Sequence, residues 1–376
     1  MIESDKTVTR NPIPEPVCPD ACISREPGNF PHMGYYGWPS VAVDENGVTY
    51  VVVSKRLLHV DPYGRVMLYK SYDRGLTWDG GVCIFDTILD DRDAGIVYMG
   101  GGRMLVTTFS HDAPLYRTNR DRFWTRWQDE AGPAGSKKVF DVWDVSTAAD
   151  KTGCSSYIIS DDYGQTWSDR RLMPVTAPHG PSLMKDGTLL YLGVPKAPEF
   201  ATGRGLPEGV WCFVSSDRGN TFTPRSSVKI DPSLKPCEAF GIQLDDGSIV
   251  ATVRTGSFET YAFRSYDGGF TWTEAERVTY GAPAHLTQTP DGLVVMSYGR
   301  RKNPTGLCVR FSSDRGLSWG EEHFISRPLS PDDNDLGYPA TARYPDGTFI
   351  TVSYRKWEND RKPSLVRSLW RIREES

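Results

Sequence analysis

The sequence contains no long apolar stretch. No run among its 376 residues approaches the roughly 18–20 apolar residues that a helix needs to span a bilayer. The first residues, MIESDKTVTRNP, also lack the apolar core of a signal peptide. If this is the true N-terminus, we expect a cytoplasmic protein; if residues were trimmed from it, we expect a secreted or periplasmic one.

The sequence also lacks an excess of basic residues and an even set of cysteines. The 43 Lys and Arg are outnumbered by 48 Asp and Glu, so we expect neither a nucleic acid nor a membrane as partner. The seven cysteines are odd in number and scattered, which predicts free thiols. Cys18 and Cys22, in CPDAC, could pair or bind a metal, but no second pair of closely spaced cysteines and no His cluster accompanies them. We therefore expect no metal site and no cofactor.

Helix-forming residues do not dominate the composition. The chain instead has 36 Gly, 27 Pro and 12% aromatic residues, which is typical of a turn-rich β protein. Hydrophobic residues make up 38% of the chain, enough to build a core and too many for a disordered chain.

A short pattern, S-x-D-x-G-x-[ST]-[WF], recurs five times. The copies, called Asp boxes below, are SYDRGLTW (71–78), SDDYGQTW (160–167), SSDRGNTF (215–222), SYDGGFTW (265–272) and SSDRGLSW (312–319). An Asp two residues before a Gly favours a tight turn, because the carboxylate folds back onto backbone N–H groups and Gly tolerates a positive φ. We interpret the boxes as structural turns.

A second pattern interleaves with the first: an alternating strand, a turn such as Asp-Gly or Asn-Gly, and another strand. It occurs six times, at 38–53, 94–109, 180–193, 239–253, 284–298 and 338–354. Such turns between apolar β-branched runs indicate hairpins. Short antiparallel sheets that repeat along the chain predict an all-β fold, a six-bladed β-propeller with four-stranded antiparallel blades, over a single domain at 1–376.

Two irregularities refine this prediction. Residues 112–152 contain no such hairpin, so we expect an insertion in the second blade. The sixth hairpin is followed only by SLVRSLWRI (364–372) and no box, so we expect a strand from the first 40 residues to complete that sheet. This closes the ring and removes its exposed edges.

Ionisable residues collect before or within the six hairpins. They are Arg56, Asp61, Arg92, Asp93, His179, Glu238, Arg254, His285, Arg300, Arg301 and Tyr338. A propeller gathers the starts of its inner strands around one end of the central channel, so we expect these side chains to face a common pocket. Each alone would be typical of a surface charge; their equivalent positions in the repeats indicate a site.

With these motifs, the chain resembles the sialidase (neuraminidase) superfamily of Asp-box propellers over about 36–372. The resemblance implies an enzyme that removes a terminal sialic acid. It would use three arginines on the sugar carboxylate, an Asp as acid/base and a Tyr–Glu pair as nucleophile. A glycan or small glycoside would be the partner.

The resemblance assigns roles position by position. CEAFGIQLDDGSIVATVR resembles the segment that carries the Glu and one arginine of the triad, which implies these roles for Glu238 and Arg254. DLGYPATARYPDG implies Tyr338 as nucleophile, and SYGRRKNPTGLCVRFSSDRG implies a second triad arginine at Arg301 or Arg300.

VVVSKRLLHVDPYGRV resembles the first-blade segment of the family. It implies Arg56 as a substrate-binding residue and Asp61 as the acid/base, whereas Asp93 matches an Asp that contacts a substituent of the sugar. The family's FRIP motif is replaced by YYGWPSVAV, so Gly37 stands where the first triad arginine would be. Either Arg92 or the spare one of Arg300 and Arg301 takes that place, or the site recognises another sugar.

The chemistry of a sialoside fits these residue types. Its anomeric carbon bears a carboxylate that repels an anionic nucleophile, whereas a neutral Tyr hydroxyl that is deprotonated by Glu238 can attack. Arginines can clamp the carboxylate by bidentate hydrogen bonds. Asp61 would protonate the leaving oxygen, which requires a raised pKa. His179 and His285 could bind sugar hydroxyls, act as acid or base, or only pack at strand ends.

The sequence thus predicts a metal-independent, exo-acting glycoside hydrolase of sialidase type that acts on a terminal acidic sugar. A first alternative is a carbohydrate enzyme of the same fold and another specificity. It could be a uronate or other exo-glycosidase, or a polysaccharide lyase in which His179 or His285 works with Tyr338. A second alternative is a propeller that only binds carbohydrate.

Overall fold

The computed structural model describes residues 11–26, 33–60, 64–111, 141–148, 150, 152–195, 206–327, 334–357 and 360–374. These residues form six antiparallel sheets. The innermost strand of each sheet packs against that of the next, and the last packs against the first, so the sheets form a closed ring. The predicted six-bladed β-propeller is confirmed.

The chain begins with two strands that belong to the last blade, β1 (Pro12–Pro16) and β2 (Ala21–Ser24). Blade 1 follows, with β3 (Tyr35–Val43), β4 (Thr49–Arg56), β5 (Arg65–Ser71) and β6 (Val82–Phe85). Blade 2 contains β7 (Asp91–Tyr98), β8 (Met104–Ser110), β9 (Ser155–Ser160) and β10 (Arg171–Met173). Blade 3 contains β11 (Val175–Thr176), β12 (Ser182–Leu183), β13 (Leu189–Pro195), β14 (Val210–Ser215) and β15 (Thr223–Val228).

A short 3-10 helix (Pro232–Leu234) leads to blade 4, which contains β16 (Cys237–Gln243), β17 (Ile249–Arg254), β18 (Glu259–Ser265) and β19 (Glu276–Tyr280). Blade 5 contains β20 (Ala284–Gln288), β21 (Val294–Arg300), β22 (Gly306–Ser312) and β23 (His323–Ser326). Blade 6 contains β24 (Gly337–Arg343), β25 (Phe349–Lys356) and β26 (Pro363–Glu374).

The N-terminal strands close the ring. Both β1 and β2 pair antiparallel with β26, with Pro12 opposite Glu374 and Ala21 opposite Arg367. Between them, Asp20 accepts a 2.6 Å hydrogen bond from Nη2 of Arg355. The predicted completion of the sixth sheet by an N-terminal strand is therefore confirmed. None of the seven cysteines is in a disulfide.

The core lies between neighbouring blades. Because alternate side chains of a strand point to opposite faces, each blade presents one apolar face to the blade on either side. Val51 of blade 1 and Ile350 of blade 6 share one buried cluster, and Leu192 of blade 3 and Ala251 of blade 4 share another.

The Asp boxes form turns between the third and fourth strands of their blades. In the third box, the Asp217 carboxylate accepts hydrogen bonds from Ser215 Oγ (2.7 Å), Thr221 N (2.9 Å) and Thr221 Oγ1 (2.6 Å). Gly219 adopts a φ of +87° and its N–H donates to Ser215 Oγ at 2.8 Å. These bonds are internal to the turn, as the structural interpretation of the boxes requires.

The predicted insertion at 112–152 falls between β8 and β9, and most of it lies outside the described residues. Within its described part, residues 141–145 are helical. Trp143 is fully buried there and its Nε1 donates to the carbonyl of Ile88 at 2.7 Å. In the described ranges, no helix is both long and apolar enough to cross a membrane.

Candidate active site

Four innermost strands carry an irregularity at the same place. The pairing of β3, β7, β16 and β24 with the next strand shifts register near its start, and the residue at the shift has a positive φ. These residues are Trp38 (+55°), Asp93 (+49°), Glu238 (+34°) and Tyr338 (+49°). A non-glycine residue adopts such a conformation at a cost of roughly 1–2 kcal/mol. A bulge of this kind redirects a side chain, here at equivalent positions of several blades.

Three of the candidate residues form one hydrogen-bonded group. The Tyr338 hydroxyl donates to Glu238 Oε1. Nη1 of Arg254 donates to both carboxylate oxygens of Glu238, at 2.9 and 2.8 Å, and to the Tyr338 hydroxyl at 3.1 Å. Burial, followed by the charge of Glu238, raises the pKa of Tyr338 well above its usual value. The phenol is therefore neutral and has a carboxylate in place to take its proton.

A second arginine lies beside this group. Nη2 of Arg301 donates to the Tyr354 hydroxyl at 2.6 Å, and its Nε donates to the carbonyl of Leu336 at 2.9 Å. The guanidinium groups of Arg301 and Arg254 each lie 4.9 Å from the ring of Phe258, so one ring positions both. Burial by itself would lower the pKa of Arg254, but the charge of Glu238 outweighs it and keeps the group protonated.

Arg300 is not brought to this group. Its Nη1 donates to Glu322 at 3.1 Å and its Nε to the carbonyl of Pro304 at 3.0 Å. Adjacent residues at the end of β21 point to opposite sides, so only one of the two neighbouring arginines can face Tyr338. The structure places Arg301 there, and Arg300 contacts the flank of blade 5.

Arg92, a candidate for the place of the missing arginine, shares a buried partner with Arg56. Both donate to the buried carboxylate of Asp90, and Arg56 is fully buried. The guanidinium groups of Arg56 and Arg92 lie 4.9 and 4.1 Å from the Trp38 ring. Gly37 precedes this Trp, so an indole stands next to the position where the resemblance expects a third arginine.

Asp93 lies buried on blade 2, near the Tyr338 group. Burial raises its pKa to about 7, against the lowering charge of Arg92 and with the raising charge of Glu238. Its Oδ1 is buried and has no hydrogen-bond partner among the described residues. Such an atom indicates that a bound water or ligand group completes the site.

The two histidines lie at the centre of the ring. Their rings are 5.1 Å apart, and His285 stacks on Phe240 at 4.5 Å and accepts from Thr341 N at 3.3 Å. Burial lowers the pKa of His285 to about 3 and that of His179 well below its usual value. Neither ring nitrogen of His179 has a hydrogen-bond partner in the described part of the chain. Both rings are therefore neutral.

His179 and Gly180 close the floor of the channel. These two residues of blade 3 contact residues of all five other blades, namely Ser40, Gly95, Phe240, His285 and Tyr338. A Cβ on Gly95 would lie 2.5 Å from the carbonyl carbon of His179, so only glycine permits this approach.

A second polar group, which the sequence did not reveal, lies next to Trp38 at the opening of the channel, called the mouth below. Tyr35, His59 and Asp335 bond to one another, with Tyr35 OH 2.6 Å from His59 Nδ1 and His59 Nδ1 3.0 Å from Asp335 Oδ1. Asp335 stands three residues before Tyr338 in DLGYP, at the entry of a hairpin, and that position was the available signal. Asp61 lies outside the described residues. Across the ranges that are described, no cluster of three or more His, Cys, Asp or Glu could hold a metal ion.

Residues 138–351 match the family model for the BNR repeat-like domain. No curated protein sequence matches the chain. Among solved structures, a protein of unknown function from Dyadobacter fermentans is 21% identical, with a TM-score of 0.73 over 96% of this chain and 99% of that one.

Two sialidase structures are also similar. The NanB sialidase from Streptococcus pneumoniae is 14% identical, with a TM-score of 0.65 over 95% of this chain and 71% of that one. The intramolecular trans-sialidase from Ruminococcus gnavus is 14% identical, with a TM-score of 0.65 over 91% of this chain and 94% of that one. At these identities the likeness shows the fold. Since the family model covers more than half of the chain, the protein belongs to the BNR repeat-like domain family, and it shares its six-bladed propeller fold with these two sialidase structures.

Proposed function

We propose that the protein is an exo-acting glycoside hydrolase of sialidase type that removes a terminal acidic sugar with retention of configuration. The observation that carries this proposal is the bonded group of Tyr338, Glu238 and Arg254. Binding alone does not require a buried phenol that donates to a carboxylate, whereas a nucleophile and its base require this contact.

The first step is attack by the Tyr338 oxygen on the anomeric carbon, while its proton passes to Glu238. The bond from that carbon to the glycosidic oxygen breaks at the same time, its electron pair stays on the oxygen, and an acid of the site protonates this leaving oxygen. A free phenolate is disfavoured here because the pKa of Tyr338 is raised, so attack and proton transfer proceed together. A neutral nucleophile avoids repulsion by a carboxylate on the same carbon. Water then displaces the tyrosine from the opposite direction, and the two inversions give net retention.

Arg254 and Arg301 bind the sugar carboxylate in this proposal. Only Nη1 of Arg254 is engaged by the described residues, and its buried Nε has no described partner. A guanidinium can present two parallel donors to a carboxylate. The site therefore has two clamping arginines, and Trp38 replaces a third with an apolar surface.

A second candidate function is a polysaccharide lyase that acts on a uronate. It is favoured by the neutral ring of His179, whose two nitrogens have no hydrogen-bond partner among the described residues and which lies 6.5 Å from the Tyr338 ring. A neutral imidazole can remove a proton next to a carboxylate, with Tyr338 as the acid. The product would be an unsaturated sugar that absorbs ultraviolet light.

A panel of aryl glycosides tests the proposal. It contains an N-acetylneuraminic acid α-glycoside with neutral and uronic glycosides, and the released aryl group is measured together with ultraviolet absorbance from an unsaturated product. Aryl release from an acidic sugar with retained configuration supports the hydrolase. An unsaturated product supports the lyase, and the absence of both favours a binding protein.

Tyr338→Phe then tests the nucleophile. We expect kcat to fall by roughly 10³-fold or more while the melting temperature stays nearly unchanged. Tyr344→Phe is a matched control, because this buried blade 6 tyrosine bonds Thr49 Oγ1 at 2.6 Å and belongs to no part of the site. Turnover of Tyr338→Phe at the wild-type rate would contradict the assignment.

A further inference from the structure

Tyr35, His59 and Asp335 form a network at the rim of the mouth. The Tyr35 hydroxyl donates to Asp335 Oδ1 at 2.9 Å, and His59 Nδ1 lies within hydrogen-bond distance of both partners. Burial by itself would raise the pKa of Asp335, but the hydrogen bond and charge of His59 and the charge of Arg301 lower it. The carboxylate is therefore anionic, and its contact with Nδ1 orients the His59 ring.

The His59 ring is held in one orientation. Its edge-on contacts are with Trp38 at 5.2 Å and Tyr35 at 5.7 Å, and its backbone carbonyl accepts from Nη1 of Arg92 at 3.2 Å. Its Nε2 makes no hydrogen bond to any described residue. The side chain is 40% exposed and that of Asp335 is 27% exposed. A ring oriented through Nδ1 with a free Nε2 at a solvent-facing rim is suited to proton transfer.

The network borders the proposed nucleophile. The Trp38 ring lies 6.3 Å from the Tyr338 ring and 5.2 Å from the His59 ring. An exo-acting enzyme holds the terminal sugar deep in the mouth, so the aglycone points outward past the rim. The leaving oxygen then faces the rim, where the partly exposed His59 lies.

We propose that His59, oriented by Asp335, is the proton donor to the leaving group. This rests on the proposed hydrolase function and names a group of the same site. The resemblance gave the role to Asp61, which lies outside the described residues. Asp335 acts through the ring and is a positioning residue.

The two steps of the proposed hydrolysis conserve protons and electrons. As the bond from the anomeric carbon to the glycosidic oxygen breaks, its electron pair stays on that oxygen, which takes a proton from Nε2 of His59. The Tyr338 oxygen bonds to the anomeric carbon and its proton passes to Glu238. In the second step water attacks that carbon and gives a proton to Nε2, while the tyrosine oxygen leaves and recovers its proton from Glu238.

A series of leaving groups tests the proposal in the full chain. For His59→Ala we expect kcat on an alkyl or saccharide leaving group to fall by roughly 10²–10⁴-fold, and kcat on a nitrophenyl leaving group to fall by less than about tenfold. Azide needs no general base, so it should accelerate the variant and yield the glycosyl azide. Asp335→Asn should show the same pattern more weakly with KM unchanged, which a merely structural role would not produce.

His323→Ala is the matched control, because this partly buried blade 5 histidine contacts Phe311 away from the mouth. If His59→Ala does not fold, His59→Gln replaces it. An equal loss on all leaving groups, no effect of azide, or the leaving-group pattern in Asp61→Asn in place of His59→Ala would overturn the proposal. Failure of the proposed function differs from all three, since the wild type would then cleave no glycoside or Tyr338→Phe would remain active.

Discussion

Two sets of equivalent positions repeat around this propeller, and both contain residues with a positive φ. In the Asp boxes these are the residues between Asp and Gly, namely Arg74, Tyr163, Arg218, Gly268 and Arg315. At the starts of the inner strands they are Trp38, Asp93, His179, Glu238 and Tyr338. The boxes repeat one set of hydrogen bonds with one set of residues. The inner positions carry a different side chain in each blade.

The difference extends to hydrogen bonding. The Asp217 carboxylate is fully used by its own turn, whereas Asp93 Oδ1 and both ring nitrogens of His179 are buried without a described partner. Strained backbone together with unsatisfied polar atoms is typical of functional sites, because folding alone gives no reason to keep them. In this repeat protein, the residues that are repeated from blade to blade stabilise the fold. The equivalent positions whose residues differ between blades carry the candidate catalytic groups.

The largest effect is expected from substituting one of two adjacent arginines. We expect Arg301→Ala to lower kcat/KM on an acidic glycoside by roughly 10²-fold, since a charged hydrogen bond to the carboxylate is lost, and much less on its methyl ester. Arg300→Ala is the control and should change either substrate by less than about threefold. Equal losses on acid and ester would contradict a carboxylate clamp.

A glycine pair tests the floor of the channel. Gly95→Ala would place a Cβ 2.5 Å from the carbonyl carbon of His179, and the contacting atoms are backbone that cannot move aside cheaply. We expect a loss of roughly 1–3 kcal/mol in the free energy of unfolding, measured by denaturant titration. Gly80→Ala, where a Cβ would meet nothing within 4 Å, should leave stability nearly unchanged. A stable Gly95→Ala would show that the floor can shift.

The sequence predicted the fold well because its signals are local. An Asp box or an Asp-Gly hairpin determines its own turn, and few architectures are compatible with six such hairpins in one chain. The site was less predictable because its contacts cross blades. Which of Arg300 and Arg301 faces the mouth depends on the pleat at the end of a strand, and the bond of His59 to Asp335 joins blade 1 to the entry of blade 6.

The smallest expected effect concerns the boxes. Burial by itself would raise the pKa of Asp217, but the hydrogen bonds from Thr221 and Ser215 outweigh it and lower the pKa to about 2. An unfolded Asp titrates near about 3.9, so the ionised box stabilises the fold above that pH and this contribution is lost as pH falls toward 2. Asp217→Asn should therefore lower the melting temperature by roughly 2–4 °C at pH 7, less at pH 3, with kcat unchanged. Asp169→Asn, an exposed carboxylate outside any box, is the control. If the difference in melting temperature between Asp217→Asn and the wild type did not change with pH, or if kcat fell, the role of the boxes would not be purely structural.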